Sequence, residues 1–251
     1  MKILKTLLQQ LPAQEVPVRD ILVGVHWTAV CSRGCGLASS LRGDGPHSDD
    51  PVRDVGRLHQ KSAQELAEWV FSENPLEAGI GMAALNSLLV VDDSRAVEIN
   101  AADVLAREGQ GKNIAIIGHF PFVERLRPHT RNLWVIEKRA IPGDLPEEAA
   151  AEYLPQADVV AITATTLLNQ TFEQLIGLCA PDALVMMLGP TTPLSMVLFD
   201  AGINLISGAR VVDEEAALRS IRQGAVFRQV QGVRLLTFSR PDGGVDGPVS
   251  Q

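Results

Sequence analysis

Aromatic side chains are scarce in this chain, and basic residues are fewer than acidic ones. Phe, Trp and Tyr account for 4% of the 251 residues, which leaves few rings on which unpaired bases could stack. The chain has 22 Lys and Arg residues against 30 Asp and Glu residues, and its net charge is −8. Because phosphate backbones bind to basic surfaces, this composition argues against nucleic acid as a partner.

Long apolar runs are also missing from the sequence. No stretch approaches the roughly 18 uninterrupted apolar residues of a membrane span, so the sequence predicts no membrane partner. In segment 1–15, apolar residues recur at helical spacing between polar ones. This pattern indicates an amphipathic first helix and not a signal peptide.

The chain has few cysteines, and their number is odd. The three residues Cys31, Cys35 and Cys179 favour cytosolic thiols over a disulfide framework. Cys31 and Cys35 have no second pair that would complete a zinc site, so each is interpreted as a small buried apolar residue. We therefore expect a cytoplasmic protein.

Apolar residues nevertheless make up 46% of the chain, enough for a sizeable core in one large or two modest domains. Residues 16–41 read as antiparallel strands with a Gly-rich turn at Arg33–Gly36, and a polar loop follows at 42–51. Helical patterns cover Leu58–Phe71 and the segment that Asn74-Pro75 opens. The first part of the chain, residues 1–108, thus predicts a smaller α+β domain.

The pattern changes after a linker near Gly109–Gly111. Short apolar runs now alternate with helical segments, which is typical of an α/β domain whose parallel sheet is covered on both faces. The sequence predicts a Rossmann-like domain over residues 112–238 and a disordered tail over residues 239–251, which are rich in Gly, Pro and Asp. The predicted strands are residues 114–117, 133–136, 159–162, 183–188 and 203–206.

Ligands of open parallel sheets bind beyond the carboxyl ends of the strands. The first predicted strand ends in Gly118, His119 and Phe120, and Pro121 could open a helix whose free N–H groups attract an anion. The second strand ends at Glu137, which lies 19 residues after Gly118, near the usual position of a ribose-binding acid. No G-x-G-x-x-G pattern accompanies it, so the sequence argues against NAD and FAD.

Glu137 and His119 could also have purely structural roles. Glu137 could be a solvated carboxylate paired with Lys138 or Arg139, and His119 could pack against Phe120.

The other strand ends are polar as well. Thr171 is best explained as a helix cap, but the remaining hydroxyl and amide groups exceed what a cap needs. We expect these loops to converge with the first two on a single crevice. The candidate ligand-binding residues there are Thr163, Thr165, Asn169, Gly189, Thr191 and Gly208.

Familiar catalytic signatures do not occur. The sequence has no G-x-S-x-G, P-loop or H-E-x-x-H pattern, so three large enzyme classes lose their usual support. His47 lies among Asp44, Asp49 and Asp50 and could contact a hard cation, but the loop lacks an EF-hand pattern. We interpret it as a flexible acidic loop.

Several motifs carry a resemblance to a known family. The sequence resembles the two-domain proteins described by the phrase "putative heavy-metal chelation", over most of residues 1–226. The resemblance implies an enolase-type N-terminal domain, a Rossmann-like domain and a cleft between them, lined by Asn86, the His119 loop, Glu137, Thr163, Thr165 and Asn169. The matching motifs are VGVHWTAVCS, GLASS, NPLEAGIGMAALNSLL, IIGHFPFVERLR, EKRAIPGD, ADVVAITATTLLNQTFEQLI and LGPTTPLSMVLFDAGINLISGARVVD.

Three functions are compatible with these observations. The first is a cytosolic protein that binds a small anionic ligand, or a divalent heavy-metal ion or chelate, in the interdomain cleft, with His119 and Glu137 as candidate metal ligands. The second is an enzyme of small-molecule or metal-cofactor metabolism, in which His119 transfers protons and Glu137 orients the substrate or acts as the base. The third is a regulatory module that closes on a metabolite. In each case the protein could form a homodimer.

Overall fold

Two β-sheets organise the chain, and one apolar core joins them. A computed structural model describes residues 1–41 and 51–241. Val30 and Ile80 from the first part of the chain share a buried cluster with Ile162 and Phe199 from the second. The elements, in chain order, are α1 (Lys2–Gln9), β1 (Asp20–Val23), β2 (Trp27–Cys31), β3 (Cys35–Ser39), α2 (Ala63–Ala67), α3 (Pro75–Leu88), α4 (Ala101–Glu108), β4 (Asn113–Ile117), α5 (Val123–Leu126), β5 (Asn132–Ile136), α6 (Ala150–Tyr153), β6 (Val159–Thr163), α7 (Thr165–Leu168), α8 (Phe172–Leu178), β7 (Leu184–Leu188), α9 (Val197–Asp200), β8 (Leu205–Val211), α10 (Glu214–Arg222) and β9 (Val233–Ser239).

The smaller sheet is antiparallel in the order β1-β2-β3, as predicted. Helix α3 covers one face, and Asn74 caps its start by accepting from the backbone of Leu76 and Glu77. Helix α10 covers the other face, where Leu218 and Ile221 pack on the sheet. The small sheet therefore lies between a helix from each part of the chain.

The predicted continuous helix over Leu58–Phe71 is wrong. The described chain has a 3-10 turn at residues 58–60, α2 at Ala63–Ala67 and a second 3-10 turn at residues 68–71. Ser62 has extended backbone angles and forms a reciprocal capping box with Glu65. This local side-chain bonding starts a new helix at residue 63, so the helix cannot run through from Leu58.

The interpretation of Cys31 and Cys35 as free thiols is also wrong, because they form a disulfide. The two residues are register partners in the β2–β3 ladder, on either side of the turn at residues 32–34. A hairpin this tight places both side chains side by side, which C-x₃-C spacing in sequence did not reveal. Cys179 is free, and burial raises the pKa of its thiol to about 11. A cytoplasmic location loses this support and stays a prediction.

The larger sheet has six strands in the order β5-β4-β6-β7-β8-β9. All neighbours are parallel except β8 and β9. Ile114 and Ile116 face a cluster with α4 and α5, whereas Ala115 and Ile117 face the large cluster on the other side. These apolar residues on both faces confirm the predicted α/β class, a mostly parallel sheet preceded by a smaller α+β part.

Strand β9 is an element that the sequence patterns did not predict. It adds an antiparallel edge to the sheet, paired with β8 over seven residues from Val211↔Val233 to Leu205↔Ser239. Helix α4 precedes the predicted boundary at Gly109–Gly111, yet its Val104 and Leu105 pack on the larger sheet.

Two predicted features involve residues that the structure does not describe. The polar loop with His47, apart from Pro51, and residues 242–251 of the predicted tail lie outside the described residues. Within residues 1–41 and 51–241, no helix has both the length and the apolar character needed to cross a lipid bilayer.

Candidate functional site

A cleft opens in the larger sheet at the point where the strand order reverses. The chain leaves β4 towards β5 on one side, and β6 lies on the other side of β4. Because α5 and α7 then leave adjacent strands on opposite faces, their carboxyl ends are left uncovered. We call this cavity of about 390 Å³ the switch-point cleft. The predicted residues that line it are Gly118, Glu137, Thr163, Thr165 and Asn169.

Gly118 lets the ends of β4 and β6 approach each other. It is buried at φ +100°, and a β-carbon there would lie 3.0 Å from Thr163 Cγ2. Both the backbone conformation and the space thus favour glycine. Beside it, the hydroxyls of Thr163 and Thr165 share a hydrogen bond of 3.0 Å, and buried Thr166 donates to the Thr163 carbonyl.

Glu137 holds the two loops that border the cleft. One carboxylate oxygen accepts from the His119 backbone N–H at 3.0 Å, and the other accepts from the Lys138 N–H at 2.8 Å and the Arg139 N–H at 3.4 Å. The side chain of Lys138 pairs with Glu147 instead, at 3.4 Å. Glu137 is therefore anchored by backbone donors rather than by a neighbouring cation.

His119 pairs with an aspartate that was not among the predicted site residues. Its Nδ1 lies 3.0 Å from both carboxylate oxygens of Asp144. The Asp144 side chain is 3% exposed and that of His119 is 35% exposed. Phe120, which the alternative interpretation placed against His119, stacks on Phe122 with ring centroids 5.2 Å apart. The sequence did contain one indication of this role, because Asp144 is the last residue of the EKRAIPGD motif that resembles the family.

The charge of the cleft differs from the expectation of an anion site. Three glutamates and one lysine line it, namely Glu137, Glu147, Glu148 and Lys138. The predicted helix N-terminus after Pro121 is also missing, because α5 begins at Val123 and the Val123 N–H donates to the Phe120 carbonyl. Acidic side chains and an occupied N–H group favour a ligand with donors or positive charge.

At the far end of the cleft, Asn169 and Thr171 bond to each other. The Thr171 hydroxyl donates to Asn169 Oδ1 at 2.7 Å. Thr171 precedes α8, but its side chain makes no capping bond, so its predicted capping role is wrong.

The remaining predicted residues lie between the two sheets. Asn86 Nδ2 donates to the carbonyls of Leu37 and Thr191, and the Thr191 hydroxyl bonds to the backbone and side chain of Ser39. Gly208 packs beneath Leu194. Gly189 turns the chain after β7 at φ +113°. The strand-end loops thus diverge and do not meet in a single crevice.

A second cavity, the inter-sheet cavity, lies next to Asn86. Its volume is about 260 Å³. It is bordered by the β2–β3 turn, the end of α3 and the carboxyl end of β8. The polar residues of its wall are Arg33, Asn86, Ser87, Thr192 and Arg210.

The candidate metal ligands do not make a chelating set. Within residues 1–41 and 51–241, no group of three or more His, Cys, Asp or Glu side chains is placed to hold a metal ion. His119 Nδ1 is bonded to Asp144, which leaves Nε2 as its possible metal-binding atom, and both oxygens of Glu137 accept backbone bonds. Because no third ligand joins them within the described residues, these donors do not fit a metal ion bound by His119 and Glu137.

Comparison with protein families assigns the chain. Residues 100–239 match the model of DUF364, described as "Putative heavy-metal chelation". The chain belongs to the DUF364 family. Residues 5–89 match a second model with the same description, DUF4213. The resemblance seen in the sequence motifs is thereby confirmed.

Solved DUF364 proteins share the fold over nearly the whole chain. A protein of unknown function from Desulfitobacterium hafniense is 26% identical with a TM-score of 0.83, and one from Pyrococcus horikoshii is 22% identical with a TM-score of 0.80. Each alignment covers 95% of this chain and 98% of the other. An uncharacterized protein of Methanocaldococcus jannaschii is 26% identical over 189 residues, which are 72% of this chain and 70% of that protein.

Proposed function

We propose that this DUF364 protein binds a small polar molecule in the switch-point cleft. The observation that carries the proposal is the lining of the cleft, where three glutamates and four threonines surround the uncovered ends of β4 and β6. A volume of about 390 Å³ lies within the usual size of a small-molecule site. Because the wall is acidic, the ligand presents hydroxyl or ammonium groups rather than an anionic group.

The family description names heavy metals, and the predicted ligand was an anion or a metal. The described donors offer no three-ligand set for a metal ion, and Glu147 and Glu148 disfavour an anion in this cleft. The proposal therefore keeps the predicted strand-end position of the site but places the ligand within the larger sheet and not between the two domains, since all the residues that line the cleft lie between 117 and 178, and it assigns a different ligand class.

Filling the cleft should remove the ligand that purifies with the protein. Ala151 is exposed on α6 and lines the cleft, so Ala151→Phe occupies the space without disturbing the core. We expect mass spectrometry to find one small polar molecule in wild-type protein. Its amount should fall to less than about one tenth in the variant, since an occupied pocket cannot bury its ligand.

Ala13→Phe is the matched control, because Ala13 is exposed in a loop outside the cleft. It should keep the full amount of ligand. Equal retention by Ala151→Phe would place the ligand elsewhere. The proposal is also wrong if wild-type protein carries no small molecule and its melting temperature does not respond to glucosamine, spermidine or glycerol.

A second candidate function, acid–base catalysis on the bound molecule, rests on the His119–Asp144 pair. A buried carboxylate that accepts from Nδ1 fixes the tautomer of a histidine and leaves Nε2 able to take a proton. Nε2 has no hydrogen-bond partner among the described residues. His119 directly follows Gly118, which lines the cleft, although neither His119 nor Asp144 is itself among the residues that line it. In this function Asp144 is a positioning residue for His119.

The tautomer of His119 tests this arrangement. In ¹H–¹⁵N spectra of the neutral ring, recorded at the alkaline end of the pH range in which the protein stays folded, we expect the Nδ1–H form in wild-type protein. Asp144→Asn should shift most of the population to the Nε2–H form, because an amide N–H can donate to Nδ1. Asp182→Asn, at an exposed aspartate, should leave the His119 signals unchanged. An Nε2–H form in wild-type protein would contradict the pair.

A further inference from the structure

The two residues of the Cys31–Cys35 disulfide differ in exposure. Cys31 is 1% exposed and lies in the apolar cluster that α10 covers. Cys35 is partly exposed and borders the inter-sheet cavity. Thiol–disulfide exchange depends on access to the sulfur that is attacked, so a reagent in solution can reach this bond only at Cys35.

Arg33 gives the Cys35 end of the bond a positive charge. It is exposed on the β2–β3 turn, borders the same cavity and has no ion-pair partner among the described residues. Arg210 is the other charged residue of the described wall, and Asp93 balances its charge. A positive charge beside a partly exposed cysteine stabilises the thiolate and attracts anionic reagents.

The β2–β3 turn is held in place by hydrogen bonds as well as by the disulfide. The Ser32 N–H donates to the Gly34 carbonyl at 2.7 Å, and the Gly34 N–H donates to the Ser87 carbonyl at 2.9 Å. The bond itself joins residues only four positions apart, and the stabilisation from closing a loop grows with the length of the loop. The turn can therefore keep its position on α3 when the bond is reduced.

We propose that Cys31–Cys35 is a thiol–disulfide exchange site for a small anionic thiol, one that carries a carboxylate or sulfonate group. The thiolate of this molecule attacks Cys35 Sγ and forms a mixed disulfide, while Cys31 leaves as a thiolate and takes up a proton. A second molecule of the thiol attacks the small-molecule sulfur and releases Cys35. In sum, two small thiols become one disulfide, and Cys31 and Cys35 gain two electrons and two protons.

Reduction of wild-type protein by mercaptoethanesulfonate tests whether the bond opens in the folded state. After quenching in acid, maleimide labelling of the denatured chain adds one label, at Cys179, if the bond is intact and three if it is reduced. We expect the rate of reduction to change less than about twofold in 1 M urea. A rise of roughly fivefold or more would mean that only the unfolded chain reacts, and would overturn the proposal.

Two single-cysteine variants of the pair locate the reactive sulfur. Cys31→Ser leaves the thiol of Cys35, and Cys35→Ser leaves that of Cys31. The disulfide of mercaptoethanesulfonate reverses the first step, and peptide masses report where the mixed disulfide forms. Cys35 in the first variant should react at least about tenfold faster than Cys31 in the second, because it is the accessible residue. Equal rates, or a faster reaction at Cys31, would contradict the assignment.

The charge of the thiol tests the role of Arg33. Mercaptoethanesulfonate and cysteamine have the same length and opposite charges, and the ratio of their rates cancels any general change in the reactivity of the bond. Arg33→Met should lower this ratio of anionic to cationic rate at least about threefold. Arg131→Met removes an exposed charge that does not border the cavity and should leave the ratio essentially unchanged. An unchanged ratio in Arg33→Met, or an equal fall in both variants, would rule out selection of an anionic thiol at this site.

Discussion

Replacing Gly36 with alanine should destabilise the protein by about 3 kcal/mol, the upper end of the usual cost of overpacking. Gly36 lies in β3, directly against α3. A β-carbon there would lie 2.2 Å from the Ala83 carbonyl oxygen and 2.4 Å from the Ser87 nitrogen. Both atoms belong to the backbone of a buried helix, so they cannot rotate away as a side chain can. The sheet and the helix would have to separate.

Urea unfolding of Gly36→Ala and wild-type protein measures this difference. Gly177→Ala is the matched control, because Gly177 lies in α8 and nothing lies within 4 Å of its added β-carbon. Alanine favours a helix over glycine, so the control should gain up to about 1 kcal/mol. A Gly36→Ala protein as stable as wild type would mean that β3 and α3 do not approach so closely.

The second large effect concerns Arg53, the partner of a buried carboxylate. Glu77 in α3 is 3% exposed. It accepts from the Arg53 backbone at 2.8 Å, the Arg53 guanidinium at 2.8 Å and the Ser72 hydroxyl at 2.6 Å. Arg53 also stacks over the Trp69 ring at 4.6 Å. Arg53→Met keeps the apolar contact but removes the charge, and it should cost about 2 kcal/mol, below the usual range because Arg53 is half exposed.

The pH dependence of stability should distinguish loss of this charge from loss of packing. Burial is the largest influence on Glu77 and raises its pKa, but the bonds from Arg53 and Ser72 together hold the pKa below its ordinary value. In wild-type protein Glu77 therefore adds stability above the unfolded pKa of about 4.3, and this stability is lost as the pH falls through the folded pKa.

In Arg53→Met the bonds from the guanidinium are lost while burial still raises the pKa, so the pKa of Glu77 should rise relative to wild type. The deficit relative to wild type should then be largest near pH 7 and shrink towards pH 4. Unfolding curves across this range provide the measurement. Arg57→Met, four residues away, breaks an exposed pair with Asp54 and should leave stability essentially unchanged. A deficit that is constant with pH would assign the effect of Arg53 to packing alone.

The fold and part of the site follow from local patterns in the sequence. The apolar run at residues 114–117 and Gly118 after it predicted a strand and a turn at a ligand cleft, because a doubly covered strand and a positive φ both leave clear signals. Thr163 and Thr165 were predicted because they directly follow the apolar run at residues 159–162. Strand β9 was not predicted because α10 and a turn separate it from its neighbour β8. The sequence between the two strands therefore lacks the short turn motif that indicates a β-hairpin.

Features that depend on distant contacts could not be predicted. Asp144 meets His119 only because the segment after β5 folds back beside the end of β4. Glu147 and Glu148 reverse the expected charge of the cleft, yet they lie in a short 3-10 turn before α6 that has no motif of its own. The Cys31–Cys35 bond depends on strand register, which spacing alone does not determine.

The position of α10 has a consequence for synthesis of the protein. The outer face of the small sheet, with Ala29 and Leu37, is covered by Leu218 and Ile221. While the chain emerges from the ribosome, the sheet is complete after residue 39, but its cover appears about 180 residues later, when α10 leaves the exit tunnel. The segment of residues 5–89, which matches a sequence family of its own, therefore does not contain the helix that covers one face of its sheet. A chain truncated before α10 leaves an apolar sheet face open to chaperones and to aggregation.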